Sequence, residues 1–444
     1  MGDTFQAFDV VVIGAGPGGI AAAVTAAEAG RTVALVDDAP LVGGQIWRNR
    51  GVAPTLPGAV KWFNRLASAP IARFQQARVV IAPSRNELLA ETPAGPVRLR
   101  WRSLVLATGA RELFIPFPGW TTPGVFGAGA IQALVKTGLP VKGKRIVVGG
   151  SGPLLLAVAD LLRSKGAIVP LIIEQAAGKS VNRFGMSLVA TPEKLLQAIG
   201  LRARLLRTRY ATGSVPLRVS KVQSGLRVDY RASRMAKSIE CDYFACGFNL
   251  IPNSELPQLF RCALTADGYV RVDQRLRTSV SGIYAIGELT GIGGVEKALV
   301  EGELAGHTIA GNQIAASSLD RQRHRAVQFT RRLEAAFALR PEVLGITTPS
   351  TIVCRCEDVA LSAVRQSLSG RDAKLQTRCG MGPCQGRICG PALQRLIGSE
   401  APQVRPPILP ASIRTLAASG RAGRDPETHA GLVRSARAIT SSDQ

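Results

Sequence analysis

Five of the eight cysteines lie close together near the C-terminal end of the chain. Cys354 and Cys356 form a CxC pair, and Cys379, Cys384 and Cys389 follow, each separated from the next by four residues. Cysteine thiolates are soft ligands that bind transition metals and iron–sulfur clusters. Structural zinc sites usually space their cysteines as CxxC, and these five do not follow that spacing. The pattern predicts a metal centre; the alternative is a group of free thiols in a reducing cytoplasm.

A glycine-rich turn near the N-terminus has the residue types of a dinucleotide site. Gly14, Gly16 and Gly19 form a GxGxxG motif between an apolar run and the alanine-rich segment IAAAVTAAEAG, which we predict to be a helix. Gly14 permits a tight turn, Gly16 lets a pyrophosphate approach the helix N-terminus, and Gly19 lets helix and strand pack closely. The next strand, TVALVD, ends in Asp37, whose carboxylate can bind a ribose hydroxyl. This order predicts a Rossmann-like nucleotide site.

A second segment repeats this order less completely. The strand KRIVVG leads into Gly150 and Gly152, an apolar helix follows, and the strand IVPLIIE ends in Glu174. Leu155 occupies the third glycine position, where a side chain forces helix and strand apart or shifts the turn. We predict a second Rossmann-like unit whose candidate site is Gly150, Gly152 and Glu174. The leucine argues against NAD(P) binding, and the alternative is a scaffold that binds no nicotinamide cofactor or binds another nucleotide.

Three further segments, GGQ (43–45), ATGA (107–110) and GIYAIGE (282–288), resemble the two-dinucleotide-domain flavoprotein superfamily that contains thioredoxin and glutathione reductases. The resemblance implies an α/β fold in which a Rossmann-like domain is inserted into an FAD-binding domain. It also implies FAD at the first glycine motif, with Glu288 in a position where most members have Asp. The residues that it places around FAD are Gly14, Gly16, Pro17, Gly19, Asp37, Gly44, Gln45, Val79, Thr108, Gly109, Gly287, Glu288 and Val295.

Disulfide reductases of that superfamily need a redox-active cysteine pair beside the flavin. The segment GGQIWR has no cysteine, and Cys241 and Cys246 do not form a CxxC motif. We predict that both thiols are buried in the core. Histidine-based catalysis has only His307, His324 and His429 available, so we assign no catalytic residue to this chain.

Residues 351–397 resemble the small helical 2Fe–2S domain of bacterioferritin-associated ferredoxin, which also occurs in anaerobic glycerol-3-phosphate dehydrogenase. The segments CRCE (354–357) and GMGPCQGRIC (380–389) carry the resemblance. It implies that Cys354, Cys356, Cys384 and Cys389 are the cluster ligands. Relatives commonly lack a cysteine at the position of Cys379, which is therefore a neighbour or an alternate ligand.

The combination of these modules resembles the α subunits of bacterial heteromeric amine dehydrogenases, a group with opine (octopine or nopaline) dehydrogenases, D-hydroxyproline dehydrogenase and hydrogen cyanide synthase. The segments VVGGSGPLLLAVA and IYAIGELTGIGGVEKALVEGELAG carry this resemblance. It implies a partner β subunit of the amino-acid-oxidase type that oxidises a C–N bond, a small γ subunit, and FMN at the subunit interface. Electrons would pass through FAD and the 2Fe–2S cluster of this chain to an acceptor in or near the membrane. A stand-alone NAD(P)H-dependent reductase and a nucleotide-binding scaffold subunit stay open as alternatives.

These patterns together predict six consecutive segments in the chain. The predicted bounds are 1–118 for the first part of the FAD-binding domain, 119–250 for the inserted NAD(P)-binding-like domain, 251–315 for the second part of the FAD-binding domain, 316–348 for a helical linker, 349–400 for the 2Fe–2S domain, and 401–444 for an extended segment with a disordered tail.

The chain is strongly basic, with 55 Lys and Arg against 31 Asp and Glu and a net charge of +24. The arginines are spread along the chain without a basic block or nucleic-acid motif, so we expect no nucleic-acid partner. A solvated basic surface is the simplest interpretation, and an acidic partner or an anionic membrane is the alternative. The N-terminus lacks a signal-peptide pattern, and no apolar run reaches the length of a membrane span. We therefore expect a cytoplasmic protein, with peripheral contact at the inner face of the membrane as a further possibility.

Overall fold

The computed structural model describes residues 5–47, 57–233, 235–367, 369–399 and 404–419 of the 444-residue chain. These residues form two Rossmann-like units, a helical linker and a small module that contains the five clustered cysteines. Among these residues, no helix combines the length and the apolar character that crossing a bilayer requires.

The strands of the described residues are β1 Gln6–Ile13, β2 Val33–Val36, β3 Ile71–Phe74, β4 Arg78–Ser84, β5 Glu87–Thr92, β6 Gly95–Leu106, β7 Ala110–Glu112, β8 Val125–Gly127, β9 Ile146–Ser151, β10 Leu171–Glu174, β11 Arg209–Ala211, β12 Ser214–Val222, β13 Gly225–Ala232, β14 Met235–Cys241, β15 Tyr243–Phe248, β16 Leu250–Pro252, β17 Ile283–Ala285, β18 Ile352–Cys354 and β19 Val359–Ala360.

The helices of the same residues are α1 Pro17–Glu28, α2 Gly44–Trp47, α3 Pro57–Ser68, α4 Ala128–Lys136, α5 Pro153–Ser164, α6 Gly178–Ser187, α7 Pro192–Arg204, α8 Glu255–Leu259, α9 Gly294–Ala310, α10 Gln313–Ser318, α11 Asp320–Ala336, α12 Pro341–Leu344, α13 Leu361–Arg365, α14 Gly370–Thr377, α15 Cys389–Ile397 and α16 Ile413–Ser419. Two 3₁₀ turns lie at Leu188–Ala190 and Gly287–Thr290.

The first unit is built on a seven-stranded sheet in the order β3-β2-β1-β6-β5-β4, with β17 paired to β6. Strands β1, β2, β3, β6 and β17 are parallel, whereas β4 and β5 form an antiparallel hairpin on the first half of β6. Val10 and Val12 of β1 pack into one core, and Val11 and Ile13 pack into another. Because successive side chains of a strand point to opposite faces, the apolar run of β1 supplies both cores.

The second unit lies between β7 and β16 in the chain. Its parallel sheet has the order β11-β10-β9-β15-β8, and β12, β13 and β14 form a separate antiparallel sheet. Strands β7 and β16 pair with each other at the two places where the chain crosses between the units. The two predicted core thiols, Cys241 and Cys246, are buried here, with exposed fractions of 3% and 0%.

The C-terminal part returns to the first unit after the cysteine-containing module. Helices α10, α11 and α12 form the linker, and β18, β19 and α13 to α15 form the module. The backbone N–H of Ile408 then donates to the carbonyl of Val80, at 3.0 Å, and the N–H of Ser412 donates to the carboxylate of Glu91, at 2.9 Å. These bonds attach the segment before α16 to the β4–β5 hairpin.

Two local predictions differ from the structure. The segment DVALSAVRQSLSG was expected to form one amphipathic helix, but α13 ends at Arg365 and α14 begins at Gly370. The Ser369 hydroxyl accepts the backbone N–H of Asp372 at 3.1 Å and caps a new helix there. The extended C-terminal segment contains the helix α16, which the sequence analysis missed. The predicted disordered tail after Ser419 lies outside the described residues.

Candidate functional site

The first glycine motif forms the turn between β1 and α1. Gly14 has φ +105°, and a Cβ built on it would lie 2.3 Å from the carbonyl oxygen of Ala107. A Cβ on Gly19 would lie 1.8 Å from the carbonyl oxygen of Gly14, so strand and helix approach too closely for a side chain. Gly16 is the N-cap of α1 and Pro17 is its first residue. The free N–H groups and positive end of α1 therefore point out of this turn, where they attract an anion.

The short helix α2 faces this turn. Its first residue, Gly44, has φ +59°, and a Cβ built on it would lie 2.9 Å from the Cα of Gly16. The carbonyl of Gln45 accepts a hydrogen bond from the Lys136 ammonium of α4 at 2.8 Å. The structure thus places the GGQ segment between the first glycine turn and the second unit.

Asp37 follows β2 and fixes the same turn. One of its carboxylate oxygens accepts the backbone N–H of Ala15 at 2.5 Å, and the other accepts that of Ala39 at 2.8 Å. The residue is only partly buried. Each carboxylate oxygen has a second lone pair, so Asp37 can hold the turn and still accept a hydroxyl from a ligand.

Glu288 lies in the 3₁₀ turn before α9 and has one oxygen without a partner. Its Oε1 accepts the backbone N–H of Gly294 at 2.8 Å, whereas Oε2 is buried and has no hydrogen-bond partner among the described residues. Burial raises the pKa of Glu288. A buried, unpaired carboxylate oxygen is costly, so this atom is a site where a ligand hydroxyl would be bound.

A buried ion pair supports the Glu288 turn from α9. The Lys297 ammonium donates to Glu301 at 2.9 Å, to the Gly287 carbonyl at 2.8 Å and to the Thr290 hydroxyl at 2.5 Å. Glu301 accepts the backbone N–H of Gly287 at 2.8 Å, and Arg323 of α11 lies 3.4 Å from its other oxygen. The Lys297 and Glu301 side chains are each 1% exposed. This network fixes the turn that carries Glu288.

Other predicted FAD residues lie on the same edge of the first sheet. Thr108 donates from its hydroxyl to the carbonyl of Asn253 at 2.9 Å, and the Asn253 N–H donates to the carbonyl of Gly109 at 3.0 Å. Val295 is in the first turn of α9 and packs against the core of the first unit. Val79 is different in kind, because it is buried in β4 within a core that β1 and β6 share.

The matching edge of the second sheet is covered by residues 337–340, which we call the strap. Ser151 ends β9 and Asn249 follows β15, and both side chains donate to the Phe337 carbonyl, at 3.2 Å and 2.7 Å. Gln175 follows β10, and its amide donates to the Ala338 carbonyl at 3.0 Å. Ligands of open α/β sheets bind outside the carboxyl ends of the strands, at the point where strand order reverses. The strap lies at that point, between β9 and β15.

The candidate residues of the second site are engaged by the protein itself. Glu174 is fully buried, and its carboxylate accepts the N–H groups of Gly152 and Ala176, both at 2.8 Å. Burial raises the pKa of Glu174 to about 7. A Cβ on Gly150 would lie 1.7 Å from the carbonyl oxygen of Gly247, and Leu155 is buried in the core of this unit. This edge therefore offers a nucleotide less than the first edge does.

The module brings all five clustered cysteines into two neighbouring groups. The sulfurs of Cys354, Cys379 and Cys389 lie within 4.8 Å of one another, and all three residues are buried. The sulfurs of Cys356 and Cys384 lie 4.0 Å apart; Cys356 is exposed and Cys384 is partly buried. The structure thus joins Cys379, the alternate ligand, to two of the four ligands that the resemblance implies. Five thiols at such distances form a donor set suited to a metal centre.

The cysteine loop docks on the crossing between the two units. Arg387 lies between two of the clustered cysteines, and its carbonyl accepts the Arg111 Nε at 3.1 Å. Arg111 also forms an ion pair with Glu255 at 2.8 Å and donates to the Asn253 side chain at 2.8 Å. Asn253 in turn bonds Thr108, so three contacts join the cysteine loop to the first site.

The sequence analysis missed the Lys297–Glu301 pair, the Arg111–Glu255 pair and the strap. Lys297 and Glu301 are four residues apart on one helix, which was a visible signal, but such pairs are usually exposed. The partners of Arg111 are distant in the chain, and no local pattern identifies them.

Comparison with known proteins agrees with this architecture. Residues 8–305 match the family model described as pyridine nucleotide-disulphide oxidoreductase. A subunit of opine oxidase from Rhizobium meliloti is 31% identical over 455 residues, which cover 92% of this chain and 98% of that protein. Hydrogen cyanide synthase subunit HcnB of Pseudomonas aeruginosa is 28% identical over 422 residues, or 85% of this chain and 90% of that protein. The solved L-proline dehydrogenase from P. horikoshii shares the fold, with a TM-score of 0.62 and 18% identity over 93% of this chain and 79% of that chain.

These matches confirm the predicted fold class of two dinucleotide-binding units, and the family and fold support FAD as a cofactor. The residues of the first edge fit a dinucleotide, since the glycine turn admits a phosphate and Glu288 presents a free oxygen. The chain belongs to the pyridine nucleotide-disulphide oxidoreductase family, within the group of subunits that contains this opine oxidase subunit of Rhizobium meliloti and hydrogen cyanide synthase subunit HcnB.

Proposed function

We propose that this chain is the α subunit of a multi-subunit flavin-dependent dehydrogenase that oxidises a C–N bond. The substrate would be an opine, hydroxyproline, glycine or a similar amino or imino acid, bound to a β subunit of the amino-acid-oxidase type. The proposal includes a small γ subunit, FMN at the subunit interface and an electron acceptor in or near the membrane. Support comes from relatives that are themselves named as subunits and from the absence of a redox-active CxxC in the sequence.

The first edge would hold FAD. The N-terminus of α1 at Gly14 and Gly16 would bind the pyrophosphate, and Asp37 would accept a ribose hydroxyl. The free Oε2 of Glu288 would accept a hydroxyl of the ribityl chain. Bound FAD would supply two-electron chemistry, and a 2Fe–2S cluster on the cysteines would carry one electron at a time. The Lys297–Glu301 pair would keep the Glu288 turn in place during both steps.

Four of the five clustered thiols would ligate the 2Fe–2S cluster, since an all-cysteine cluster needs four. The proposed ligands are Cys354, Cys356, Cys384 and Cys389. Cys379 is the alternate, and its place in the buried group of three makes it the competitor to test.

One observation carries the proposal: the docking of the cysteine loop beside the first site. Arg111 contacts the carbonyl of Arg387 in the cysteine loop, and it also contacts Asn253, which bonds Thr108 at the first edge. A metal centre on this loop would therefore be a near neighbour of the first site. Such proximity is what electron transfer between two cofactors needs.

Separate serine substitutions at the five positions test this assignment. Cys354→Ser, Cys356→Ser, Cys384→Ser and Cys389→Ser should each abolish the paramagnetic signal of the dithionite-reduced chain and its acid-labile sulfide. Cys379→Ser should keep both and is the matched control. Loss of the signal in Cys379→Ser, with retention in one of the other four, would exchange that residue for Cys379. Iron-free protein with all five cysteines intact would overturn the cluster itself.

A further inference from the structure

Helices α6 and α7 of the second unit form an exposed surface with an unusual composition. Neither helix contains a buried residue, although α7 has 13 residues. Their large apolar side chains are instead open to solvent: Met186, Val189, Leu196, Ile199 and Leu206 have exposed fractions of 69%, 69%, 69%, 56% and 77%. Most large apolar side chains of a folded domain are covered, so this concentration within 21 residues calls for a binding partner.

The apolar side chains of α7 share one face. Pro192, Leu196, Ile199 and Ala203 follow the spacing i, i+4, i+7 and i+11, which places them in one stripe along a helix. All four are exposed. The stripe is the face that an amphipathic helix would normally turn toward the core, and here it faces outward.

Other side chains attach this region to the rest of the molecule. The Phe184 ring packs against the Phe329 ring of α11, with 5.9 Å between centroids. The Lys194 ammonium pairs with Glu296 of α9 at 2.6 Å, and the Arg332 guanidinium donates to the Ser187 carbonyl at 2.9 Å. These contacts occupy the inner side of the two helices and leave the apolar stripe free.

The surface around the stripe is strongly cationic. Residues 178–209 contain seven Lys and Arg and a single carboxylate, Glu193. Arg204 pairs with Asp160 of α5 at 2.8 Å. Five other cations of this segment are exposed: Lys179, Arg183, Arg202, Arg207 and Arg209. The apolar stripe is thus surrounded by positive charge.

We infer that α6 and α7 dock this chain on the surface of an anionic lipid bilayer. A helix that lies in a membrane interface combines an apolar face, which enters the acyl boundary, with Lys and Arg, which contact acidic headgroups. The cores of protein–protein interfaces are depleted in charge, and a patch encircled by cations fits that pattern less well. The inference goes beyond the proposed function, because it assigns a surface of this chain to the membrane whether or not the chain carries electrons.

Sedimentation with vesicles tests the inference on the purified full-length chain. We expect it to bind vesicles of equal parts phosphatidylglycerol and phosphatidylcholine, and not vesicles of phosphatidylcholine alone. Raising the salt concentration should weaken binding, by about fivefold for each cation that loses its contact. The double variant Leu196→Glu, Ile199→Glu should lower the partition coefficient more than about tenfold. Because both residues are exposed, it should keep the wild-type circular dichroism and flavin content.

Ile314→Glu on α10 is the matched control, since Ile314 is 88% exposed and lies outside the surface. It should bind vesicles like the wild type. Equal binding of the double variant and the wild type would overturn the inference, as would no binding of the wild type to anionic vesicles. If the double variant loses association with its partner subunit while the wild type ignores vesicles, the surface is a protein interface instead. None of these readouts uses turnover, so they do not depend on the proposed function.

Discussion

Replacing Lys297 by methionine should lower the free energy of unfolding by about 3 kcal/mol. Lys297 is 1% exposed, and its three ammonium protons have three acceptors: the Gly287 carbonyl, the Thr290 hydroxyl and the Glu301 carboxylate. Methionine keeps most of the apolar stem but removes the charge. Glu301, also 1% exposed, then loses its nearest cation, and the Gly287 carbonyl loses a donor.

The magnitude follows from what remains around Glu301. Removing one partner of a buried ion pair usually costs about 3–5 kcal/mol, because the other charge stays buried. Glu301 still accepts the N–H of Gly287 at 2.8 Å and the Thr290 hydroxyl at 2.8 Å, and Arg323 lies 3.4 Å away. These partners place the expected loss at the lower end. Lys194→Met is the matched control, since its pair with Glu296 is as short but partly exposed, and it should cost at most about 1 kcal/mol.

Urea unfolding followed by circular dichroism measures both variants. Adding Glu301→Gln to Lys297→Met should recover part of the loss, because the double variant no longer buries an undercompensated carboxylate. FAD retention should fall in Lys297→Met, since the Glu288 turn loses its support. A loss of stability no larger than that of Lys194→Met would refute the view that this buried pair fixes the turn.

Three other perturbations test separate parts of the structure. Gly14→Val should release FAD, because its Cβ would lie 2.3 Å from the Ala107 carbonyl oxygen at φ +105°; stoichiometric flavin in the purified variant would reject the first site. NADH should not bleach the flavin of the isolated chain under anaerobic conditions, because the strap covers the second edge; rapid bleaching would revive the reductase alternative. Burial raises the pKa of Glu112 to about 7, so the folded chain retains a proton that the unfolded chain loses, and stability should fall as the pH rises from about 5 to 8. Glu112→Gln should remove only part of that slope in unfolding titrations, since Glu174 has the same raised pKa and contributes the rest; an unchanged slope would show that Glu112 is ionised in the folded chain.

Local patterns were enough to predict the two nucleotide-binding units. A helix was expected from Gly294, and α9 is Gly294–Ala310; the first glycine motif lies between β1 and α1 as expected. These features depend on residues close in sequence, where glycine positions and apolar runs restrict the backbone strongly. The break between α13 and α14 was missed because the Ser369 cap competes with an apolar pattern that continues past it.

Contacts between distant residues could not be predicted in this way. Gln175 bonds Ala338 across 163 residues, and Arg111 bonds Arg387 across 276. Both are polar contacts of side chains that also suit a solvated surface, so composition and periodicity carry no signal for them. Spacing likewise cannot rank the cysteines. Cys379 lies as near Cys354 and Cys389 in space as a ligand would, although the resemblance alone made it the outsider.

The strap and the cysteine module belong to one continuous path of the chain, and this links two features of the proposed function. The linker leaves the first unit after α9, crosses the carboxyl edge of the second sheet at residues 337–340, and then delivers the module to the crossing beside Arg111. A chain that keeps the module docked by this route also keeps the second edge covered, since Ser151, Gln175 and Asn249 all bond the strap. An electron donor would therefore have to reach the first site by another way than a nicotinamide on the second sheet. A reduced flavin on a partner subunit is such a donor, and the docked cysteine module is the outlet that it would need.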